Sequence, residues 1–527
     1  MEATGKRILW VDDEIGQLRP HLLFLQARGY HVDAITNGDD ALDLVRDNVY
    51  DLILLDEQMP GRSGLEVLEI LTREEPHLRV VMITKSEEDR TMTEAIGRQV
   101  ADYLVKPTSP RQVLSVVTRI LEGSSIRQQR AAQDFASRFG RLSQKRQEAR
   151  THEEFAEVFF ELTDWDIRLE GAGEVGLRDT VHAMMVDLRR DFGEWIIREY
   201  PGWMRDGERP DLSVDIVREH VLPLLGEKPV FLVVLDCMRL DQWRVIAPLL
   251  AQHFDIEESY HYSILPTATP YSRNAIFSGQ FPDEVARDRP EWWDASDDEG
   301  SLNAFEDELL KEQLKRLTGR DVPVHYQKIF SDWEGEQVLA RVKSALKTPG
   351  SVVALVFNFV DLMTHGRSGS PILMEVAKDE SALRNLTRGW FERSTAFAVL
   401  KEAARMGHKV IMTTDHGSIL CQHPSTVFAR RDATSNLRYK FGGDLKVEDA
   451  STAFSTSNER DLRFPKGKLG TTYIVALDDY FFVYPTKLRE YQRRYRNSFL
   501  HGGISPEEMI VPVARLTPRP TGVAPPR

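Results

Sequence analysis

Apolar positions along this chain fall into short, β-branched runs that stop abruptly at an acid, a hydroxyl or a lysine. In the first 122 residues, Ile8–Val11 runs into Asp12-Asp13 and Leu52–Leu55 into Asp56; Val80–Ile83 then runs into Thr84 and Asp102–Val105 into Lys106-Pro107. Segments of helical spacing lie between them, and strands alternating with helices predict a parallel α/β sheet. From Gly123 the pattern turns polar and rich in Arg and Gln, with apolar residues at helical spacing only. It predicts a helical bundle connector over 123–226, with helices at Glu153–Leu162, Leu177–Glu199 and Val214–Leu224. A second α/β pattern occupies 227–516. Val230–Leu235 runs into Asp236, Val352–Val360 into Asp361 with His365 four residues on, and Val410–Thr414 into Asp415-His416. A late FLHGG carries His501, and 517–527 reads as a flexible, Pro-rich tail.

Composition narrows the class. A chain of 527 residues exceeds a single core, and 41% hydrophobic with 28% charged residues is ordinary for a globular protein. A net charge of −14 argues against a broad surface for coating nucleic acid. The basic, amphipathic start of the connector lacks a compact helix-turn-helix, so no dedicated DNA-binding domain is expected. No apolar run approaches the roughly 18 residues of a membrane span. MEATGKRILWVDD enters a strand directly, without a secretory signal. Cys237 and Cys421 form no disulfide framework and read as small packing residues. The expected setting is cytoplasmic.

In parallel sheets, ligands gather outside the carboxyl ends of the strands. That rule brings Asp12, Asp13, Asp56, Thr84 and Lys106 around one crevice. Three carboxylates there repel one another unless a cation intervenes, and hard oxygen donors suit Mg²⁺. Asp56 can then attack a phosphoryl group while Lys106 offsets the developing charge. Thr84 can bond a phosphoryl oxygen, and Tyr103 can report the change by moving inward. Through VDDE, LLDEQMPG, MITK and YLVKP this stretch resembles response-regulator receiver domains, with Lys85 where the family commonly has Ser or Ala. The resemblance implies that a sensor histidine kinase phosphorylates Asp56.

The same rule applied to the second pattern converges three Asp and three His on one sheet edge. Such N/O donors fit two borderline divalent ions, Zn²⁺ with Mn²⁺ as the alternative. Two metals about 4 Å apart can clamp the attacking and leaving oxygens of a phosphoryl displacement. PTATPYSRN supplies the hydroxyls for a nucleophile. Taken in order, these residues resemble the PglZ branch of the alkaline-phosphatase superfamily. That likeness implies one metal held by Asp236, Asp415, His416 and Thr269, and another held by Asp361, His365 and His501. It selects Thr269 over Thr267 as nucleophile, in a slot where sulfatases need Cys or Ser. Ser272, Arg273 and Asn274 become candidate donors to a substrate phosphate. Ser272 and Asn274 stand equally as helix caps and Arg273 as a surface residue. Two polar insertions follow, Asp294–Lys315, expected to be an acidic solvated face, and Asn436–Arg463.

The fold class is therefore α/β: a doubly wound, flavodoxin-like receiver domain (1–122), the connector, and an alkaline-phosphatase-like domain. This order is similar to that of PorX-type response regulators. The resemblance implies a homodimer on phosphorylation and a zinc-dependent phosphodiesterase acting on oligonucleotide or cyclic-nucleotide-like substrates. It also implies a link to type IX secretion. Two other functions fit the same residues: a phospho-regulated module docking a sigma factor or secretion component around a structural metal, and a phosphomonoesterase.

Overall fold

The computed structural model describes all residues except 1–4, 86–99, 206, 294–302, 331–334, 368–374, 430–433, 435, 466–469 and 521–527. The chain divides into two compact units, one running to Ala136 and the other from Ser137 onward, with Gly171–Glu174 assigned to the first.

The first unit is a five-stranded parallel sheet of β1 (Arg7–Val11), β2 (His31–Ile35), β3 (Leu52–Asp56), β4 (Arg79–Thr84) and β5 (Asp102–Val105), in the order β2-β1-β3-β4-β5. Its central strands alternate faces with a period of two. Leu9, Val11, Ile53 and Leu55 enter one core, and Ile8, Trp10, Leu52 and Leu54 the other. Helices α1 (Arg19–Gln26), α2 (Gly38–Asp47), α3 (Gly64–Glu74) and α4 (Pro110–Leu121) complete the layers. Ser63 with Glu66 and Ser109 with Gln112 form capping boxes that start α3 and α4. Strand β2 had no counterpart in the sequence reading. It is an edge strand whose residues are half-buried or exposed, so it lacks an apolar run.

Three helices form the connector: α5 (Gly123–Glu148), α6 (His152–Ala172) and α7 (Val175–Trp203). Most of it belongs to the second unit. Phe155 stacks on Trp195 at 4.7 Å, and Trp203 and Phe192 lie against Tyr262 of the C-terminal sheet. The Tyr262 hydroxyl donates to the His152 carbonyl (2.8 Å), and Leu265 N–H donates to the Tyr200 hydroxyl (2.8 Å). The expected helix Val214–Leu224 breaks into short 3₁₀ and π turns, the last of which (Leu222–Leu224) contains Pro223, ahead of the sheet.

The second unit is built on a six-stranded mixed sheet of β6 (Val230–Leu235), β7 (Phe254–Tyr262), β8 (Val324–Ile329), β9 (Val352–Phe357), β10 (Val410–Thr413) and β11 (Ile510–Pro518). The order is β7-β11-β10-β6-β9-β8. Strands β10, β6, β9 and β8 run parallel, while β11 is antiparallel to both β10 and β7. Central strands β6, β9 and β10 are buried along their whole length, as sheets covered on both faces require. Smaller sheets between Ile419 and Leu500 extend the domain beyond β10.

Candidate metal and phosphoryl sites

In the first unit, Asp12 follows β1 and Asp56 ends β3; both are buried, and Asp13 is exposed. The three carboxylates bring ligand atoms within 4.8 Å of one another. Lys106 Nζ lies 2.9 Å from both Asp12 Oδ2 and Asp56 Oδ2. Asp56 Oδ1 is buried with no hydrogen-bond partner among the described residues. Burial pushes the Asp56 carboxyl up, Asp12 adds to the shift, and Lys106 opposes it without cancelling it. A buried, one-sided anion of this kind suits a divalent ion and an incoming phosphoryl group. Thr84 is buried at the end of β4, and Tyr103 is half-buried against the core.

In the second unit, the carboxyl ends of β6, β9 and β10 meet. Asp236 follows β6 directly, its N–H donating to the Phe357 carbonyl of β9 (3.0 Å). Asp415 and His416 follow β10, fully buried, and with Asp236 they form a ligand cluster within 4.8 Å. Asp415 Oδ1 accepts from the N–H groups of Cys237 (3.2 Å) and His416 (3.0 Å). Cys237 itself adopts φ 64, a left-handed conformation uncommon for a non-glycine residue. Asp415 Oδ2 is buried with no hydrogen-bond partner among the described residues; Arg273 Nη1 lies 3.7 Å away. Burial and the neighbouring Asp236 push the Asp415 carboxyl up to about 7. Asp236 is held low in spite of burial, because Arg273 and His416 stand beside it.

His416 and His501 are each oriented through the ring Nδ1. His416 Nδ1 lies 3.0 Å from the Gly417 carbonyl, which places the proton on Nδ1 and presents Nε2 as ligand atom. That Nε2 is 3.0 Å from Thr269 Oγ1, and Thr269 Oγ1 is 3.3 Å from Asp236 Oδ1. His501 Nδ1 lies 3.2 Å from the Thr267 carbonyl, its ring stacks on His416 at 4.3 Å, and its Nε2 is 3.8 Å from Asp361 Oδ1. Thr269 is the first residue of the helix Thr269–Ser278, in which Pro270 has no N–H and the N–H groups of Tyr271 and Ser272 both donate to the Ala268 carbonyl (3.0 Å each). The Thr267 hydroxyl is committed elsewhere, donating to the Gly503 carbonyl (2.8 Å) and accepting from Gly502 N–H (3.1 Å).

The rest of HGGISPEE braces this arrangement. Glu508 accepts from Gly503 N–H (2.8 Å) and pairs with Arg438, both side chains fully buried. Gly417 N–H donates to the Glu508 carbonyl (3.1 Å), and Glu507 pairs with Arg189 of α7 at 2.6 Å. The donor chemistry fits a borderline divalent cation: buried carboxylates, imidazoles with defined tautomers, and an Asp415 oxygen without a hydrogen bond.

Several expected placements differ. Asp361 does not end a strand. β9 stops at Phe357 and the helix Phe359–Arg367 begins, Asn358 accepting from Leu362 N–H (3.0 Å), so Asp361 sits in a first helical turn. His365 falls on the same helix, its side chain outside the described residues. Ser272 turns toward the Ser263 hydroxyl (2.8 Å) and the Ile264 carbonyl (3.2 Å) rather than toward the carboxylates. Arg273 is not a surface residue: it is 1% exposed and joins Asp236 (2.5 Å) to Glu306 (2.5 Å). Asn274 donates to the Pro270 carbonyl (3.0 Å) and accepts from Asn303 (3.1 Å). Glu306 lies in the segment expected to be a solvated face, yet is 1% exposed at the start of the helix Glu306–Thr318. Asn358 was not anticipated; its amide donates to Asp236 Oδ2 at 2.6 Å. A polar residue closing an all-apolar strand run beside two strands that lead to Asp was the available signal.

Comparison with known families matches residues 216–516 to the BREX system PglZ alkaline phosphatase-like domain, 8–118 to the response regulator receiver domain, and 125–204 to the PorX response regulator linker domain. Among curated proteins, the transcriptional regulatory protein ResD of Bacillus subtilis is 37% identical over 126 residues, covering 24% of this chain and 52% of ResD. The alginate biosynthesis transcriptional regulatory protein AlgB of Pseudomonas syringae is 38% identical over 125 residues, covering 23% of this chain and 28% of AlgB. The chain thus spans about half, or less, of the length of these relatives. Among solved structures, TrrA of Thermotoga maritima in complex with Mg²⁺ and BeF is 31% identical, covering 22% of this chain and 98% of its own, with a TM-score of 0.21.

Proposed function

The chain belongs to the PglZ alkaline phosphatase-like family and has the domain order of a PorX-type response regulator, and on that premise we propose that its C-terminal domain is a zinc-dependent phosphodiesterase with Thr269 as nucleophile. The observation that carries this reading is the Thr269 hydroxyl, within 3.3 Å of both Asp236 and His416 at the start of a helix. Asp236, Asp415 and His416 would hold one Zn²⁺, and Asp361, His365 and His501 the other. When bound, the ions lower the pKa of an alcohol and neutralise phosphoryl oxygens. Asp236 Oδ1 accepts the Thr269 hydroxyl hydrogen bond and fixes its direction. Thr269 Oγ1 attacks phosphorus as its proton leaves, the bond to the leaving oxygen breaks and that oxygen takes up a proton to depart as the alcohol, and a phosphothreonine ester forms; water then hydrolyses this ester, returning a proton to Thr269 Oγ1 and releasing the phosphomonoester.

A diester is favoured over a monoester by Arg273. It is the guanidinium nearest the carboxylates among the described residues, and it is already shared between Asp236 and Glu306. A monoester dianion asks for one more cation than a diester monoanion. The receiver domain implies phosphorylation of the chain by a histidine kinase, and we place that phosphoryl group on Asp56. Nucleotide-like diesters are the proposed substrates and a phosphorylated homodimer the proposed assembly.

The test begins with metal content, followed by hydrolysis of bis-nitrophenyl and mono-nitrophenyl phosphate by wild type and Thr269→Ala. The expected result is preferential cleavage of the diester, reduced about a thousandfold in Thr269→Ala, with metal retained. Metal-replete wild type that cleaves neither ester would instead make the domain a docking module for a partner such as a sigma factor or secretion component.

A further inference from the structure

The acidic insertion between β7 and β8 contributes to the site from an unexpected direction. Two of its residues, Asn303 and Glu306, are 5% and 1% exposed and face the helix that begins at Thr269. Asn303 Nδ2 donates to the Thr269 backbone carbonyl (3.3 Å) and to Asn274 Oδ1 (3.1 Å). Glu306 Oε1 accepts from Arg273 Nε (2.5 Å), and its other oxygen accepts from the Tyr326 hydroxyl of β8. The same guanidinium reaches Asp236 Oδ2 through Nη1 (2.5 Å). Asn358 donates to that oxygen as well, so Asp236 Oδ2 is occupied and Oδ1 is the atom turned toward Thr269.

We propose that Asn303 and Glu306 are positioning residues: Asn303 fixes the backbone of the nucleophile, and Glu306 holds Arg273 so that Asp236 offers a single oxygen to a metal ion. The inference rests on reading Asp236 as a metal ligand. Its logic is electrostatic. Arg273 competes with a divalent cation for Asp236, and Glu306 draws the guanidinium charge the other way. Removing the Glu306 charge leaves Arg273 to pair with Asp236 and with Asp415, and cation affinity falls. Asn303 carries no charge, so its removal acts on the placement of Thr269 and not on the metal. The two residues therefore have separable signatures.

The experiment uses the full chain with Glu306→Gln, Glu306→Asp and Asn303→Ala, first checking that each melts cooperatively. Zn²⁺ affinity is measured by competition with a chromophoric chelator, and kcat and KM are measured on the nitrophenyl diester. Glu306→Gln keeps the shape and is expected to weaken Zn²⁺ binding about tenfold or more; Glu306→Asp restores part of that loss. Asn303→Ala is expected to lower kcat about tenfold, with KM and Zn²⁺ affinity within twofold of wild type. Folded Glu306→Gln with wild-type Zn²⁺ affinity overturns the role of Glu306, and folded Asn303→Ala with wild-type kcat overturns that of Asn303. Should wild type bind zinc yet cleave no ester, the phosphodiesterase reading fails, while the affinity measurement on Glu306→Gln still decides the role of Glu306.

Discussion

Gly417 shows how closely the ligand-bearing loop is packed. A Cβ at this position would collide with the Glu507 carbonyl oxygen, and the Gly417 N–H already donates to Glu508. Gly417→Ala must therefore push apart two segments that carry His416 and the HGGISPEE brace. It is expected to cost about 1–3 kcal/mol, read as a lower denaturation midpoint in urea, and to weaken Zn²⁺ binding. An unchanged midpoint would show that the loop yields freely. The convergence of Asp236, Asp415 and His416 was legible from sequence because parallel sheets collect the residues that follow their strands at one edge. Asn358, Glu306 and Arg438 were not, and Arg273 was marked only as a candidate phosphate donor. They act by holding other residues, and nothing in the sequence pairs Arg273 with Glu306, or Arg438 with Glu508, until the fold brings them together. The left-handed Cys237 was equally hidden, since its contribution is a backbone N–H.

Among the elements, α6 and α7 carry the clearest pH signature. Asp166 of α6 is surrounded by His182 and Arg178 of α7 and by Arg384. Burial pushes its carboxyl up, but these three partners more than reverse that and hold it well below the usual carboxylate range. A depressed carboxyl adds stability that is present above its unfolded pKa of about 3.9 and is lost as pH falls through the folded value. His182 is raised, chiefly by its hydrogen bond to Asp166, with burial opposing. Its contribution is full below about 6.5 and is lost as pH rises through the raised value. The pair therefore stabilises the connector most between about pH 4 and 6.5. Melting temperature against pH should show a shoulder in that window in wild type, and Asp166→Asn should flatten it; a parallel downward shift at every pH would assign Asp166 to packing alone. Long, periodic elements such as α7 were legible, since an apolar stripe persists over many turns. Edge strand β2 and the break after Phe357 were not, because neither changes the hydrophobic pattern enough to mark itself.

At the scale of the whole molecule, the described residues hold two carboxylate-rich clusters of different softness, and the difference is testable. Asp12, Asp13 and Asp56 offer oxygen alone, beside Lys106. Asp236 and Asp415 are joined by the imidazole of His416, with His501 stacked on it. Hard oxygen donors favour Mg²⁺, which retains its waters, whereas mixed nitrogen and oxygen donors favour Zn²⁺ far more strongly. With Mg²⁺ and beryllofluoride present, sedimentation is expected to show a dimer for wild type and a monomer for Asp56→Ala; identical sedimentation would remove the proposed switch. An N-donor chelator that takes Zn²⁺ and leaves Mg²⁺ is then expected to abolish diester hydrolysis while phosphorylation of Asp56 by acetyl phosphate proceeds. Added Zn²⁺ should restore hydrolysis, and excess Mg²⁺ should not, because Mg²⁺ gains little from the imidazoles of His416 and His501. If the chelator stopped phosphorylation and hydrolysis together, the two sites would share a metal requirement and the division of labour between them would be wrong. If hydrolysis survived full removal of Zn²⁺, the ligand set would have to act without it, and Thr269 would need His416 Nε2, 3.0 Å away, as its base.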